Sequence, residues 1–86
     1  MVNAYVLAKV ETGADKKVLS EIKKFPGVKK VCMTYGPFDV AIEATFETID
    51  DLDGFIFNKL RKIPNIKETL TVICSQTIAP DEKTEA

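Results

Sequence analysis

Thr34-Tyr35-Gly36-Pro37-Phe38-Asp39 is the one stretch of this chain whose residue types together could hold a small polar molecule. Glycine lets a backbone N–H or carbonyl approach a ligand closely. The Asp39 carboxylate could accept from an ammonium group, and Tyr35 and Phe38 could wall a pocket. On residue types alone an ordinary hairpin, with Asp39 capping its turn, accounts for the same segment.

Catalysis has less to work with. The 86 residues contain no histidine, so a general base would have to be a carboxylate, lysine, tyrosine or cysteine. Cys32 and Cys74 lie far apart within apolar runs, which excludes a Cys-x-x-Cys pair and Cys/His zinc spacing. With no base beside them, both are expected to be buried and to act as small hydrophobes. Asp15, Asp50 and Asp51 stand where helices should begin, and most other acids stand beside lysines. Neither a Gly-x-Gly-x-x-Gly turn nor a phosphate-binding loop occurs. The expectation is a binding module, not an enzyme, with no catalytic residue, no metal and no cofactor.

Charge and hydropathy narrow the partners. Twelve Lys+Arg stand against thirteen Asp+Glu, a net charge of −1. An independent DNA- or RNA-binding domain would normally be basic, so no direct DNA binding is expected. The stretch from Asp39 to Thr45 carries acids where an RNA-recognition sheet needs stacking aromatics. The lysine pairs at 16–17, 23–24 and 29–30 read as solvated faces. No apolar run approaches the ~20 residues that span a bilayer, and no signal-peptide pattern opens the chain. The cytoplasm is the expected compartment and no membrane partner is expected.

The elements that must position the hairpin come as two similar halves. Thr12-Gly13-Ala14-Asp15 and Thr48-Ile49-Asp50-Asp51 each offer a threonine at N-cap and an acid three residues on. Apolar residues then recur at helical spacing: Val18, Leu19, Ile22 and Phe25, then Ile49, Leu52, Ile56, Leu60 and Ile63. Phe55 and Phe57 flank the second stripe, as part of a wide core face or of a second interface. Phe25-Pro26-Gly27-Val28 and Ile63-Pro64-Asn65-Ile66 end the helices, because proline cannot continue a helix and Gly or Asn tolerates the redirecting turn. Strands are expected over residues 2–11, 28–35, 38–46 and 66–75. The order β-α-β-β-α-β implies a ferredoxin-like α+β domain over residues 1–75, with a four-stranded antiparallel sheet and both helices on one face. Residues 76–86, with Pro80 and several charges, are expected to be a flexible tail.

Helices can cover only one face of such a sheet. A monomer should make the other face polar, with clean alternation along each strand. Here Tyr5 and Leu7 oppose Ala4, Val6, Ala8 and Val10, and Leu70, Val72 and Cys74 oppose Thr69, Thr71 and Ile73. An apolar patch on the bare face marks association. A chain this short, without disulfide or metal, also has partner subunits as its remaining source of stability.

The run Tyr5-Val6-Leu7-Ala8-Lys9-Val10, the two proline-containing helix exits and Tyr35-Gly36-Pro37-Phe38-Asp39 together resemble the effector-binding domain of the Lrp/AsnC family of amino-acid-responsive regulators. The likeness covers about residues 2–75, and its Gly-x-x-Asp hairpin is the most specific part. It implies sheet-to-sheet pairing into a dimeric α/β-barrel, dimers assembling to an octamer or decamer, and an amino-acid effector bound between subunits. By position it implies Tyr35, Gly36, Pro37, Phe38 and Asp39 as ligand contacts, with Thr69 and Thr71 as hydroxyl partners. Tyr35 stands where many members have threonine, and Thr34 lies one residue earlier. Full members carry an N-terminal helix-turn-helix, whereas this chain opens at its first strand. A stand-alone sensing module is therefore expected, acting on transcription through a DNA-binding regulator of the same family. The alternatives are a ligand-free architectural partner of such a regulator and a dimeric α/β-barrel enzyme.

Overall fold

The computed structural model describes residues 1–75, in which each expected element is present, although both helices end before their proline exits, at Ile22 and Asn58. Strand β1 (Val2–Val10) leads to helix α1 (Asp15–Ile22), strands β2 (Val28–Met33) and β3 (Val40–Phe46), helix α2 (Ile49–Asn58), a 3-10 turn (Leu60–Lys62) and strand β4 (Ile66–Ile73). The four strands form one antiparallel sheet in the order β2-β3-β1-β4. This is the ferredoxin-like α+β arrangement. The expected tail, 76–86, lies outside the described residues.

Alternation sets the core. Ala4, Val6, Ala8 and Val10 of β1 and Val40, Ile42 and Ala44 of β3 are buried together with Val18, Ile22, Leu52, Phe55, Ile56, Leu60 and Ile63. Phe55 belongs to this core, edge-on to Phe25 at 5.9 Å and 5.3 Å from Phe46. Phe57, two residues on and about 200° round the helix, is 53% exposed, so the two phenylalanines have different roles. Ile49, expected in the apolar stripe, is also exposed.

The two helix starts differ, contrary to their matching sequences. Thr48 caps α2, its hydroxyl accepting from Asp51 N–H at 3.1 Å. Thr12 caps nothing: α1 begins at Asp15, with Ala14 at the cap position and no side-chain bond. Gly13, at φ 87°, turns the chain first, and Ala14 N–H closes that turn on the Glu11 carbonyl.

Both helix exits lead into a β-bulge. The β2–β3 register shifts between Val28 and Lys30, and the β1–β4 register shifts between Lys9 and Val10, where Val10 faces Ile66 while Lys9 faces Glu68. One extra residue reverses the faces of everything before it. Val28 and Ile66 thus turn inward to the core edge, although simple alternation would place Ile66 with Leu70 and Val72. Gly27 is tightly enclosed: its φ is 92°, and a Cβ there would lie 2.5 Å from the Phe46 ring.

Strands β2 and β3 are shorter than their apolar runs because the chain leaves the ladder at the hairpin. Thr34 N–H still donates to the Asp39 carbonyl, and Asp39 N–H to the Ala8 carbonyl. Residues 34–39 nonetheless carry no strand assignment.

Candidate functional site

The hairpin is held at its base and open at its tip. The Thr34 hydroxyl donates to the Phe38 carbonyl at 2.8 Å, tying the two ends together. The Asp39 carboxylate accepts from Val10 N–H at 2.8 Å, filling a donor that the diverging β3 no longer serves. Between these ties Gly36 has φ 120°, with nothing within 4 Å of a built Cβ. Tyr35 is completely exposed. Phe38 is half-buried, with the Lys9 ammonium 5.7 Å from its ring centre. The five hairpin residues are thus together, yet none of them lines any of the four best-formed pockets among the described residues.

Thr69 and Thr71 lie elsewhere. They pair opposite Ala8 and Val6, so both stand on the helix-covered side of the edge strand β4, half-buried. Ala8 also receives the Asp39 N–H on its other side, which puts Thr69 two strand spacings from the hairpin base, about 9–10 Å. The carboxylate of Asp39 and the two hydroxyls do not converge.

The bare face is the second candidate surface. Tyr5 faces Val72 and Leu7 faces Leu70 across β1–β4, while Leu7 faces Ala41 and Ala41 faces Cys32 on the other side. Tyr5, Leu70 and Val72 each leave about half their surface in solvent, at 47%, 47% and 49%. Polar pairs rim this centre: Thr45 donates to Asn3 at 2.9 Å at one end, and Lys9 stands 3.9 Å from Glu68 at the other. The cysteines expected in the core are here instead. Cys32 is exposed and Cys74 half-buried, because their parity on the two edge strands matches that of Leu70 and Val72.

Arg61 was not singled out by sequence reasoning. Its guanidinium lies 4.7 Å from the exposed Phe57 ring, and its Nε donates to the Thr69 hydroxyl at 3.4 Å. Arg61 and Thr69 edge a groove of 360 Å³ whose lining also includes Ile66, Lys67 and Glu68. The i, i+4 spacing of Phe57 and Arg61 was a readable signal. The closure onto Thr69 is a contact between the 3-10 turn and β4, which no periodicity shows. Among the described residues no group of three or more Cys, Asp or Glu could hold a metal, and no helix is long and apolar enough to cross a membrane.

The family described as the Lrp/AsnC ligand binding domain matches residues 3–84. An uncharacterised HTH-type transcriptional regulator of Pyrococcus horikoshii, PH0140, is 33% identical over 70 residues, covering 81% of this chain and 44% of that protein. The chain spans about half the length of the curated relatives it matches. The crystal structure of FFRP-DM1 is similar at TM-score 0.83 and 35% identity, covering 86% of this chain and 99% of that one. The transcriptional regulator NMB0573 of Neisseria meningitidis, solved as an L-Met complex, shares the fold at TM-score 0.84. It is 15% identical, over 92% of this chain and 53% of that one.

Proposed function

The chain belongs to the Lrp/AsnC ligand-binding-domain family, and from that membership we propose that it acts as an amino-acid-sensing module whose effector site is completed by a second copy. Its role is regulatory effector binding, and its relatives are named transcriptional regulators. The observation that carries the finer reading is the hairpin. Thr34 and Asp39 hold its base while Tyr35, Gly36 and Pro37 stand in solvent, so a single chain encloses no ligand there. A rigid base beneath an uncovered tip suits a contact made across a subunit boundary.

Association supplies that boundary. Tyr5, Leu7, Leu70 and Val72 pair sheet to sheet with a second copy, giving a dimeric α/β-barrel, and dimers assemble further into an octamer or decamer. The L-Met complex of the Neisseria meningitidis regulator supports an amino acid as the effector class. Asp39 and hairpin backbone groups take the polar ends of the amino acid, Tyr35 and Phe38 its side chain, and Thr69 and Thr71 of another copy donate hydroxyls. The effector acts by binding one assembly state better than another, since only differential affinity shifts such an equilibrium. The module is a binding protein, not an enzyme. It works in the cytoplasm, reaching DNA through a full-length Lrp/AsnC partner.

Calorimetry of the pure protein with each of the twenty amino acids, paired with light scattering of the eluted assembly, tests this. Heat from at least one amino acid and a change in assembly size are expected. Assembly with a full-length regulator but no heat from any amino acid would replace the sensor with a ligand-free architectural partner.

A further inference from the structure

Arg61 is the only arginine among the twelve cationic side chains of the chain. The rest are lysines, which carry a compact, strongly hydrated charge. A planar guanidinium differs in kind: it stacks on aromatic rings and presents paired N–H donors that match a carboxylate. Its surroundings use the first property and leave the second free. Phe57, 53% exposed, receives the guanidinium at 4.7 Å. The Nε–H is spent on Thr69 at 3.4 Å. Two contacts from different elements therefore fix the plane of the group. Among the described residues no carboxylate lies within ion-pair distance of it; the ion pairs there are Lys9 with Glu68 and Lys24 with Glu21. Glu68 lines the same groove but lies 3.9 Å from the Lys9 ammonium.

The Thr69 hydroxyl adds a neutral donor beside the guanidinium. It accepts from Arg61, so its own O–H is left to donate to something else. Arg61 terminal N–H groups and the Thr69 O–H then sit side by side at the groove, with Lys67 adding a second positive charge to its lining. Oriented donors, one of them a guanidinium held against an aromatic ring, are the elements of a carboxylate site.

We propose that Arg61, positioned by Phe57 and Thr69, is a carboxylate-binding point on the helix side of β4, and that it shares the carboxylate of the effector with the hairpin backbone groups of another copy. The second clause rests on the effector reading above. Arg61 supplies the paired charged donors, Thr69 a neutral donor beside them, and Thr71, one step further along the same face, the next hydroxyl.

A lone arginine gives one side-chain Nε signal in nitrogen-15 NMR, which makes the test specific. The intact protein is titrated with sodium acetate, with sodium chloride as control, and then with whichever amino acids give heat in calorimetry. Expected results are a saturable acetate shift at Arg61 Nε that chloride does not reproduce, and the same shift with the amino acid. Arg61→Gln should weaken amino-acid binding roughly 10- to 100-fold. Arg61→Lys should weaken it nearly as much, because charge without the planar fork is insufficient. Lys62→Gln, a neighbouring charge outside this groove, should leave it unchanged. Amino-acid binding that ignores Arg61→Gln overturns the inference and leaves the sensor reading standing. Saturable acetate binding with no amino-acid heat retains the carboxylate point and overturns the sensor. No response of the Arg61 signal to any carboxylate overturns the inference by itself.

Discussion

Replacing Leu70 by threonine removes apolar surface from the bare face without touching the core. Leu70 faces Leu7 across β1–β4 and is 47% exposed in one chain. Full burial of a leucine stabilises by ~1.5–3 kcal/mol, and about half of that remains to be gained here, ~0.7–1.4 kcal/mol. A two-fold dimer carries the change twice, so its dissociation constant should rise roughly 10- to 100-fold, at about 1.4 kcal/mol per decade. Threonine is itself a good strand former, so the folded monomer should lose no more than about 0.5 kcal/mol. Leu70→Lys should act more strongly, because a charge would enter the apolar centre between Tyr5, Leu7 and Val72. Sedimentation velocity over a concentration series reads the dissociation constant, and circular dichroism melting checks the fold. If both variants dissociate at the wild-type concentration while remaining folded, the bare face does not mediate association and the argument from its exposure fails.

Thr48→Ala should cost about 1 kcal/mol by freeing Asp51 N–H, whereas Thr12→Ala should be nearly neutral, since Thr12 caps nothing; chemical denaturation of the pair tests this contrast. Gly27→Ala should lower the melting temperature well below wild type, because a left-handed φ and a 2.5 Å approach to Phe46 both oppose a methyl group; an unchanged melt would contradict the enclosure seen there. Asp39→Ala leaves Val10 N–H without its acceptor and should cost about 1–3 kcal/mol, while Asp39→Asn can keep that bond and lose only charge. Calorimetry should then find the Asn variant folded but weaker for an ammonium-bearing ligand. Tyr35→Ala should leave stability unchanged within about 0.5 kcal/mol, its side chain being wholly exposed, and weaken effector binding by calorimetry.

The sequence displayed what depends on regular spacing and concealed what depends on interruptions of it. Alternation along β1 and β3 identifies the buried set Ala4, Val6, Ala8, Val40, Ile42 and Ala44 without help from coordinates. The hairpin could be picked out because its residues are contiguous. The helix starts look equivalent as Thr-x-x-Asp, but Gly13 bends the chain before α1 and only Thr48 becomes a cap. The bulges after Gly27 and Asn65 move Val28 and Ile66 across the sheet relative to simple alternation. Cys32 and Cys74 sit in apolar runs, yet strand parity puts them on the bare face. Arg61 looked like one cation in a lysine-rich stretch, since its distinguishing partners are a turn behind it and a strand ahead.

Beyond the bulge, regular alternation divides β4 between the two faces of the sheet. From Glu68 onward β4 is in register with β1 so that Thr69 and Thr71 share the face of Ala8 and Val6, under the helices. Leu70 and Val72 therefore share the opposite face with Leu7 and Tyr5, where a second copy would pack. The association face and the β4 hydroxyls are thus on opposite sides of one sheet, and Asp39 is committed laterally to Val10. No rotation of side chains in a single chain brings the exposed tip of the hairpin over Thr69, because the strand β1 stands between them. A ligand that touches both must take the hairpin from one copy and Arg61, Thr69 and Thr71 from another. That second contact cannot be the sheet-to-sheet one, which uses the other face. Under the proposed reading effector binding would therefore require an assembly larger than the dimer, and the Leu70 variants should reduce effector affinity only indirectly, through loss of the dimers from which that assembly would be built.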